Sequence, residues 1–290
     1  MDKVTFINSL GQEINFEKKF PYLLQTIDGA GGVDVNLESQ KSPYQDGDTH
    51  LNSYLEPRIV DCQVMLKAVD ERALFEMRAH ITKILNPKLG IGLLRYEQSG
   101  GIKEIKATIQ QPPIFPKGKG NRGYDYQVTI FSLKCPNPYW LNETDYVDEL
   151  AVFEGGLSFP LSLPTIFSKQ SESKSKIINN VGHVSTPLLV TFTGPATAPI
   201  RITNETTGEF VGVNQDLLSG EKLVINTEFG KKKVVKVDGQ GNEINAFHYI
   251  NLQSSFFQLI QGNNLLSYST GADYERAPVV ITWRNRYVGV

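Results

Sequence analysis

The sequence predicts a mainly β protein: an N-terminal β domain carrying one α-helix, followed by a C-terminal β-sandwich. Three observations carry this. Short runs with period-2 alternation dominate the chain, turn residues punctuate the second half at short intervals, and a single segment shows the 3–4 spacing of a helix.

In the first half, Ile59-Val60-Asp61-Cys62-Gln63-Val64-Met65-Leu66 and Tyr126-Gln127-Val128-Thr129-Ile130-Phe131 read as half-buried strands. The helix is expected over residues 70–85. Asp70 can accept from the free N–H groups of the first turn, and Glu71 suits the positive end of the dipole. Leu74, Met77, Ile81 and Ile84/Leu85 give one apolar face, and Asn86-Pro87 stops the helix. In the second half, strands are expected at Leu188–Thr193, Ile200–Thr203, Phe210–Val213, Leu223–Asn226, Lys233–Val237 and Val279–Trp283. Gly194-Pro195, Asn204–Gly208, Ser219-Gly220, Phe229-Gly230, Asp238-Gly239 and Gly262-Asn263 separate them. The domain boundary is placed near Leu141, giving domains 1–141 and 142–290. The polar run Ser168–Lys176 is read as a loop.

At 290 residues the chain can hold two cores, and 40% hydrophobic with 21% charged residues is an ordinary globular composition. A net charge of −2 gives no electrostatic reason to bind nucleic acid or an acidic membrane, and no apolar run is long enough to span a bilayer. Neither sequence-specific nucleic-acid binding nor membrane insertion is expected. Met1–Phe6 lacks the basic and apolar regions of a signal peptide, so synthesis and maturation in a cytoplasm are expected. Cys62 and Cys135 share phases with apolar neighbours and read as buried free thiols.

Residues 38–57 are the exception. This segment is polar and broken by Pro43 and Gly47, yet carries Tyr44, Leu51, Tyr54 and Leu55. It reads as a structureless loop too long for a compact core and too aromatic for a disordered linker. An arm that packs on another subunit has this mixture. Pro43, Tyr44, Leu51, Tyr54 and Leu55 are therefore the candidate interface residues, with packing on their own subunit as the alternative.

Chemistry is sparse elsewhere. Gly118-Lys119-Gly120-Asn121-Arg122-Gly123 matches a dinucleotide fingerprint in letters only, because prolines precede it and a strand follows. His50, His80, His183 and His248 lack metal-site spacing, no G-x-S-x-G elbow occurs, and Asp46-Gly47-Asp48 reads as a turn. No enzyme, cofactor or metal is expected.

Several segments, in order, resemble one family. They include Ser42-Pro43-Tyr44-Gln45-Asp46-Gly47, Leu55-Glu56-Pro57-Arg58-Ile59, the helix ending in Leu85-Asn86-Pro87, and Leu93-Leu94-Arg95-Tyr96. Further on come Pro136-Asn137-Pro138-Tyr139-Trp140, Asn179-Asn180-Val181-Gly182, Phe192-Thr193-Gly194-Pro195, Asn204-Glu205-Thr206-Thr207-Gly208, Ile225-Asn226-Thr227 and Gly262-Asn263-Asn264. Together they are similar to the distal tail protein (Dit) family of long-tailed bacteriophages infecting Gram-positive hosts. The resemblance implies a non-enzymatic tail-tip protein of the virion, made in the host cytoplasm. It implies an N-terminal domain that forms a homo-hexameric ring, a galectin-like C-terminal sandwich, and a belt near residues 40–54 reaching the next subunit. The implied partners are the tail tube protein, the tail-associated lysin or fibre (Tal) protein, and a receptor-binding protein. A carbohydrate-binding sandwich contacting host cell-wall glycans is the alternative. It would need exposed aromatic platforms, and the chain has only Trp140 and Trp283 as tryptophans, the latter in phase with core positions.

Overall fold

The computed structural model describes residues 2–150, 175–272 and 277–290. The chain divides into two compact units, one comprising Met1–Glu143 with Tyr287–Val290 and the other Thr144–Arg286. The return of the last four residues to the first unit is a feature that the linear sequence reading did not contain. Of the run 168–176, residues 168–174 lie outside the described residues.

The first unit contains β1 (Lys3–Ile7), β2 (Glu13–Glu17), β3 (Tyr22–Asp28), β4 (Val35–Gln40), β5 (Thr49–Leu55) and β6 (Arg58–Lys67). After these come α1 (Glu71–Ile84), β7 (Ile91–Gln98), β8 (Gly101–Ile114), β9 (Tyr126–Cys135) and β10 (Trp140–Asn142). One sheet carries the order β10-β8-β7-β1-β2-β3-β6-β9, and β8 also pairs with β9. That second pairing brings the sheet back on itself and closes the strands from β8 to β9 into a barrel, so those strands have no free edge. Strand β8 serves two neighbours because it is long. Gly101–Thr108 pairs with β7, whereas Thr108–Ile114 meets β9. Its register with β9 breaks across Pro112-Pro113, which have no N–H to give to the ladder.

Alternation builds the core. Val60, Cys62, Val64 and Leu66 of β6 are buried together with Val4 and Phe6 of β1, Phe16 of β2, and Phe131 and Leu133 of β9. Phe16 sits 5.2 Å from the Phe131 ring, centroid to centroid. Both cysteines are buried free thiols, and burial pushes each up to about 12, which leaves them chemically quiet.

Helix α1 starts where expected. Asp70 accepts from the Ala73 N–H at 2.8 Å, and Leu74, Ile81 and Ile84 turn inward onto β2, β6 and β8. Asn86 then caps a short 3₁₀ turn at Pro87–Leu89.

The second unit contains β11 (Tyr146–Glu149), β12 (Ser175–Asn180), β13 (Leu188–Thr193), β14 (Ile200–Asn204) and β15 (Glu209–Val213). It continues with β16 (Lys222–Asn226), β17 (Lys233–Val237), β18 (Glu243–Asn245), β19 (Gly262–Ser269) and β20 (Val279–Trp283). Among the described residues these form one sheet ordered β11-β20-β13-β16-β17-β18 and another ordered β12-β19-β14-β15. Val190, Ile225 and Ile281 from the first sheet share a core with Ile202, Val211 and Leu266 from the second, which is a β-sandwich. The asparagines of the sequence motifs act as locks within it. Buried Asn264 donates to the carbonyls of Ile260 and Gly262 and accepts from the Asn204 side chain at 3.1 Å. Buried Asn180 ties Val184 and Leu259 together.

Candidate subunit interface

The segment expected to be a structureless loop is a two-stranded antiparallel ribbon of β4 and β5, and this corrects the sequence reading. Its first strand begins at Val35, before Glu38, and there Val35 and Leu37 alternate with Asn36 and Glu38, a pattern that the polar composition of the rest conceals. Every residue of β4 is exposed, as is every residue of β5 except the half-buried Leu55. Among the described residues no third strand joins the ribbon, and a lone two-stranded hairpin is only marginally stable in water.

Register fixes which candidate residues can act together. Val35 pairs with Leu55 and Leu37 with Ser53, so Val35, Leu37 and Leu55 share one face. Tyr54 pairs with Asn36 and lies on the opposite face, where its hydroxyl accepts from the Asn52 amide at 2.8 Å. The adjacent candidates Tyr54 and Leu55 therefore cannot grip one surface with the same face. Leu51 is the extra residue of a bulge opposite Glu38/Ser39 and is 59% exposed. The sequence reading missed Val35 and Leu37, of which Leu37 is 64% exposed. The period-2 spacing of Val35 and Leu37 was the available local signal, whereas their place beside Leu55 is visible only in the register.

Pro43 and Tyr44 occupy the tip. The Gln45 N–H returns to the Ser42 carbonyl at 3.1 Å, which closes a turn with Pro43 and Tyr44 at its centre. Tyr44 has φ +65°, the left-handed region that glycine or asparagine normally fills, and its ring is fully exposed. A bulky residue held there at a tip is strained and presented to solvent.

The base of the ribbon is held by Arg58, the first residue of β6 and fully buried. Its guanidinium donates to the carbonyls of Gly29, Ala30 and Gly32 at 2.5, 3.2 and 2.7 Å, to Pro138 at 2.9 Å, and to Val288. Trp140, also buried, donates its indole N–H to Ala30 at 3.0 Å. These partners are backbone oxygens, and desolvation lowers the Arg58 pKa below its ordinary value. The packing is too close for side chains at two glycines. A Cβ on Gly29, at φ +79°, would lie 1.9 Å from the Ile59 oxygen, and one on Gly289 would lie 2.2 Å from the Gly31 oxygen. The Glu56 N–H bonds to the Asp34 carbonyl at 2.9 Å and brings the two legs of the ribbon together above this knot.

The remaining candidate chemistry is scattered. His80 Nδ1 lies 3.0 Å from the Tyr22 hydroxyl on the barrel, His50 is on the ribbon beside Ser53, and His183 and His248 belong to the second unit. Among the described residues no three His, Cys, Asp or Glu side chains gather as a metal site. The segment 118–123 joins strands β8 and β9, as expected for a hairpin loop. Both tryptophans, Trp140 and Trp283, are buried in the cores of their units.

Comparison with known proteins bears on both units. A family model described as a phage tail protein RIFT-related domain matches residues 9–132. Another, described as the C-terminal domain of a siphovirus-type tail component, matches residues 181–287. Among solved structures, SPP1 Dit, described as a paradigm of the hub adsorption apparatus in phages infecting Gram-positive hosts, has a TM-score of 0.67 at 13% identity, with 98% of each chain covered. A chain of the phage P2 baseplate in its activated conformation with Ca has a TM-score of 0.55 at 9% identity, covering 100% of this chain and 99% of that one. The corresponding structure with Sr gives 0.55 at 8% identity, covering all of both chains. No curated protein sequence matches. At such identities the structural likeness is one of fold.

Proposed function

This chain belongs to the distal tail protein family of siphophages, and from that premise we propose that it forms the ring-shaped hub of a tail tip, with the β4–β5 ribbon as the link between neighbouring subunits. As a phage tail component its role is structural. The ring is a homo-hexamer that joins the tail tube to the tail-associated lysin or fibre protein, and the β-sandwich unit serves the receptor-binding apparatus.

The observation that carries this reading is the ribbon itself. It is a two-stranded element with exposed apolar residues that, among the described residues, joins no larger sheet. A closed ring repeats one heterologous interface, so an arm on each subunit and its seat on the next suffice to build it. Such an arm adds buried area without a broad apolar patch on the free subunit. The carbohydrate-binding alternative is left without a tryptophan platform, since Trp140 and Trp283 are both core residues.

Native mass spectrometry with negative-stain imaging tests the proposal. The purified chain is expected as six-membered rings, and Tyr54→Ala combined with Leu55→Ala as folded monomers. Wild-type chain that stays monomeric at every concentration overturns the autonomous ring. A double mutant that still runs as a full ring removes the ribbon from the interface.

A further inference from the structure

On the outer side of α1 lies an open groove walled by Phe75, Arg78 and Lys83 of the helix and by Pro87, Pro112 and Phe115. Its chemistry is specific. Phe75 is 69% exposed, although it stands on the helix whose opposite side builds the core. The Arg78 guanidinium carbon lies 4.5 Å from the Phe115 ring centroid, and the Arg78 Nε is buried without a hydrogen-bond partner. A buried, unpartnered N–H of this kind is costly until an acceptor reaches it. The groove lining carries two cations and no carboxylate.

The ribbon tip has the complementary character. Pro43 and Tyr44 present an apolar and aromatic point, and Asp46 and Asp48 follow directly, while Lys41 is the lone cation between β4 and β5. We propose that the groove along α1 is the seat for the ribbon tip of a second copy of this chain, with Tyr44 entering between Phe75 and Phe115 and the Asp46/Asp48 carboxylates meeting Arg78 and Lys83. This rests on the ring reading and names the seat that the reading left open. Both patches are on every copy and differ from each other, so the contact is heterologous and can repeat around an axis. Tyr44 in a groove walled by rings and prolines is a hot-spot arrangement, and the carboxylates supply register and salt dependence. The left-handed backbone at Tyr44 then has a use, because it holds the ring at the extremity of the turn before any partner arrives.

Cross-linking tests the seat directly. Chains carrying Ser42→Cys, which sits beside the tip and leaves Tyr44 in place, and differently tagged chains carrying Thr82→Cys are co-expressed and treated with a short bismaleimide. Thr82 is exposed and lines the groove, while the native thiols are buried and stay protonated. The expected product is a covalent pair containing one chain of each tag, absent when either cysteine is introduced alone. In parallel, Asp48→Lys is expected to weaken ring formation by about tenfold or more, and Lys83→Glu in the same chain to recover most of it. Rings in native mass spectrometry with no mixed pair, or an equally strong pair with Gln253→Cys on the second unit, overturn the groove assignment and leave the ring standing. A wild-type chain that never leaves the monomer overturns both.

Discussion

The barrel and the ribbon of the first unit are made of the same kind of strand and do opposite work. In β6, Val60, Cys62, Val64 and Leu66 lie in a closed barrel whose pairing leaves no neighbour missing. In β4 and β5, Val35, Leu37 and Leu55 line up just as regularly, but the sheet stops after two strands and the apolar side chains stay largely in water. Alternation alone therefore does not say what a strand is for. What separates the two is whether the chain itself supplies the opposing surface. Where it does, burial stabilises the fold. Where it does not, the same pattern leaves apolar surface in water, which under the proposed ring is the surface a neighbouring copy would cover.

Substitutions should divide along that line. The largest effect belongs to the barrel: Phe16→Ala, which removes a fully buried ring in contact with Phe131, is expected to cost about 3–5 kcal/mol in denaturant unfolding. Next, Val35→Ser with Leu37→Ser, two exposed residues of one ribbon face, should leave unfolding stability within about 0.5 kcal/mol of wild type, as for most exposed sites, while weakening assembly by about tenfold or more, measured by mass photometry across a dilution series. The reverse result, a destabilised fold that still assembles, would seat that face on the chain's own barrel and end the contrast. The smallest effect is local. Tyr44→Gly relieves a left-handed residue and should stabilise the ribbon by about 1 kcal/mol, roughly a fivefold slowing of amide exchange at its tip. The same change should loosen the assembly by removing the ring, and a ribbon that exchanges no more slowly would show that the turn stores no strain.

How much of this could be read from the sequence depended on distance along the chain. The helix was legible because Asp70, the Leu74–Leu85 spacing and Asn86-Pro87 are local signals. The strands from Leu188 to Trp283 were legible because turns bracket each run. Strands β1 to β3 were not, since short runs such as Lys3–Ile7 gain their meaning only from the neighbours they pair with. Barrel closure was out of reach for the same reason: it depends on β8 changing partners near Pro112-Pro113, a choice with no local mark. At the candidate interface, the aromatic and leucine content of residues 38–57 set the segment apart from the core, and the structure shows it as an exposed ribbon. Its faces could not be assigned until the register showed Leu55 beside Val35 and Tyr54 on the other side. The order of the motif residues gave the family, and Asn180, Asn204 and Asn264 prove to be buried side chains that hold turns and strand ends together.

Arg58 has a consequence in time as well as in space. Its guanidinium waits at position 58 for a carbonyl at position 288, and residues 144–286 must be synthesised between the two. Chains emerge from the ribosome N-terminus first, so the nascent first unit carries an unfinished cage for a buried cation until the whole second unit has followed. The loop that launches the ribbon, Gly29–Gly32, is bonded to that same guanidinium. Residues that follow the second unit thus complete the footing of the ribbon, and a chain truncated before Val288 carries a ribbon with an incomplete anchor.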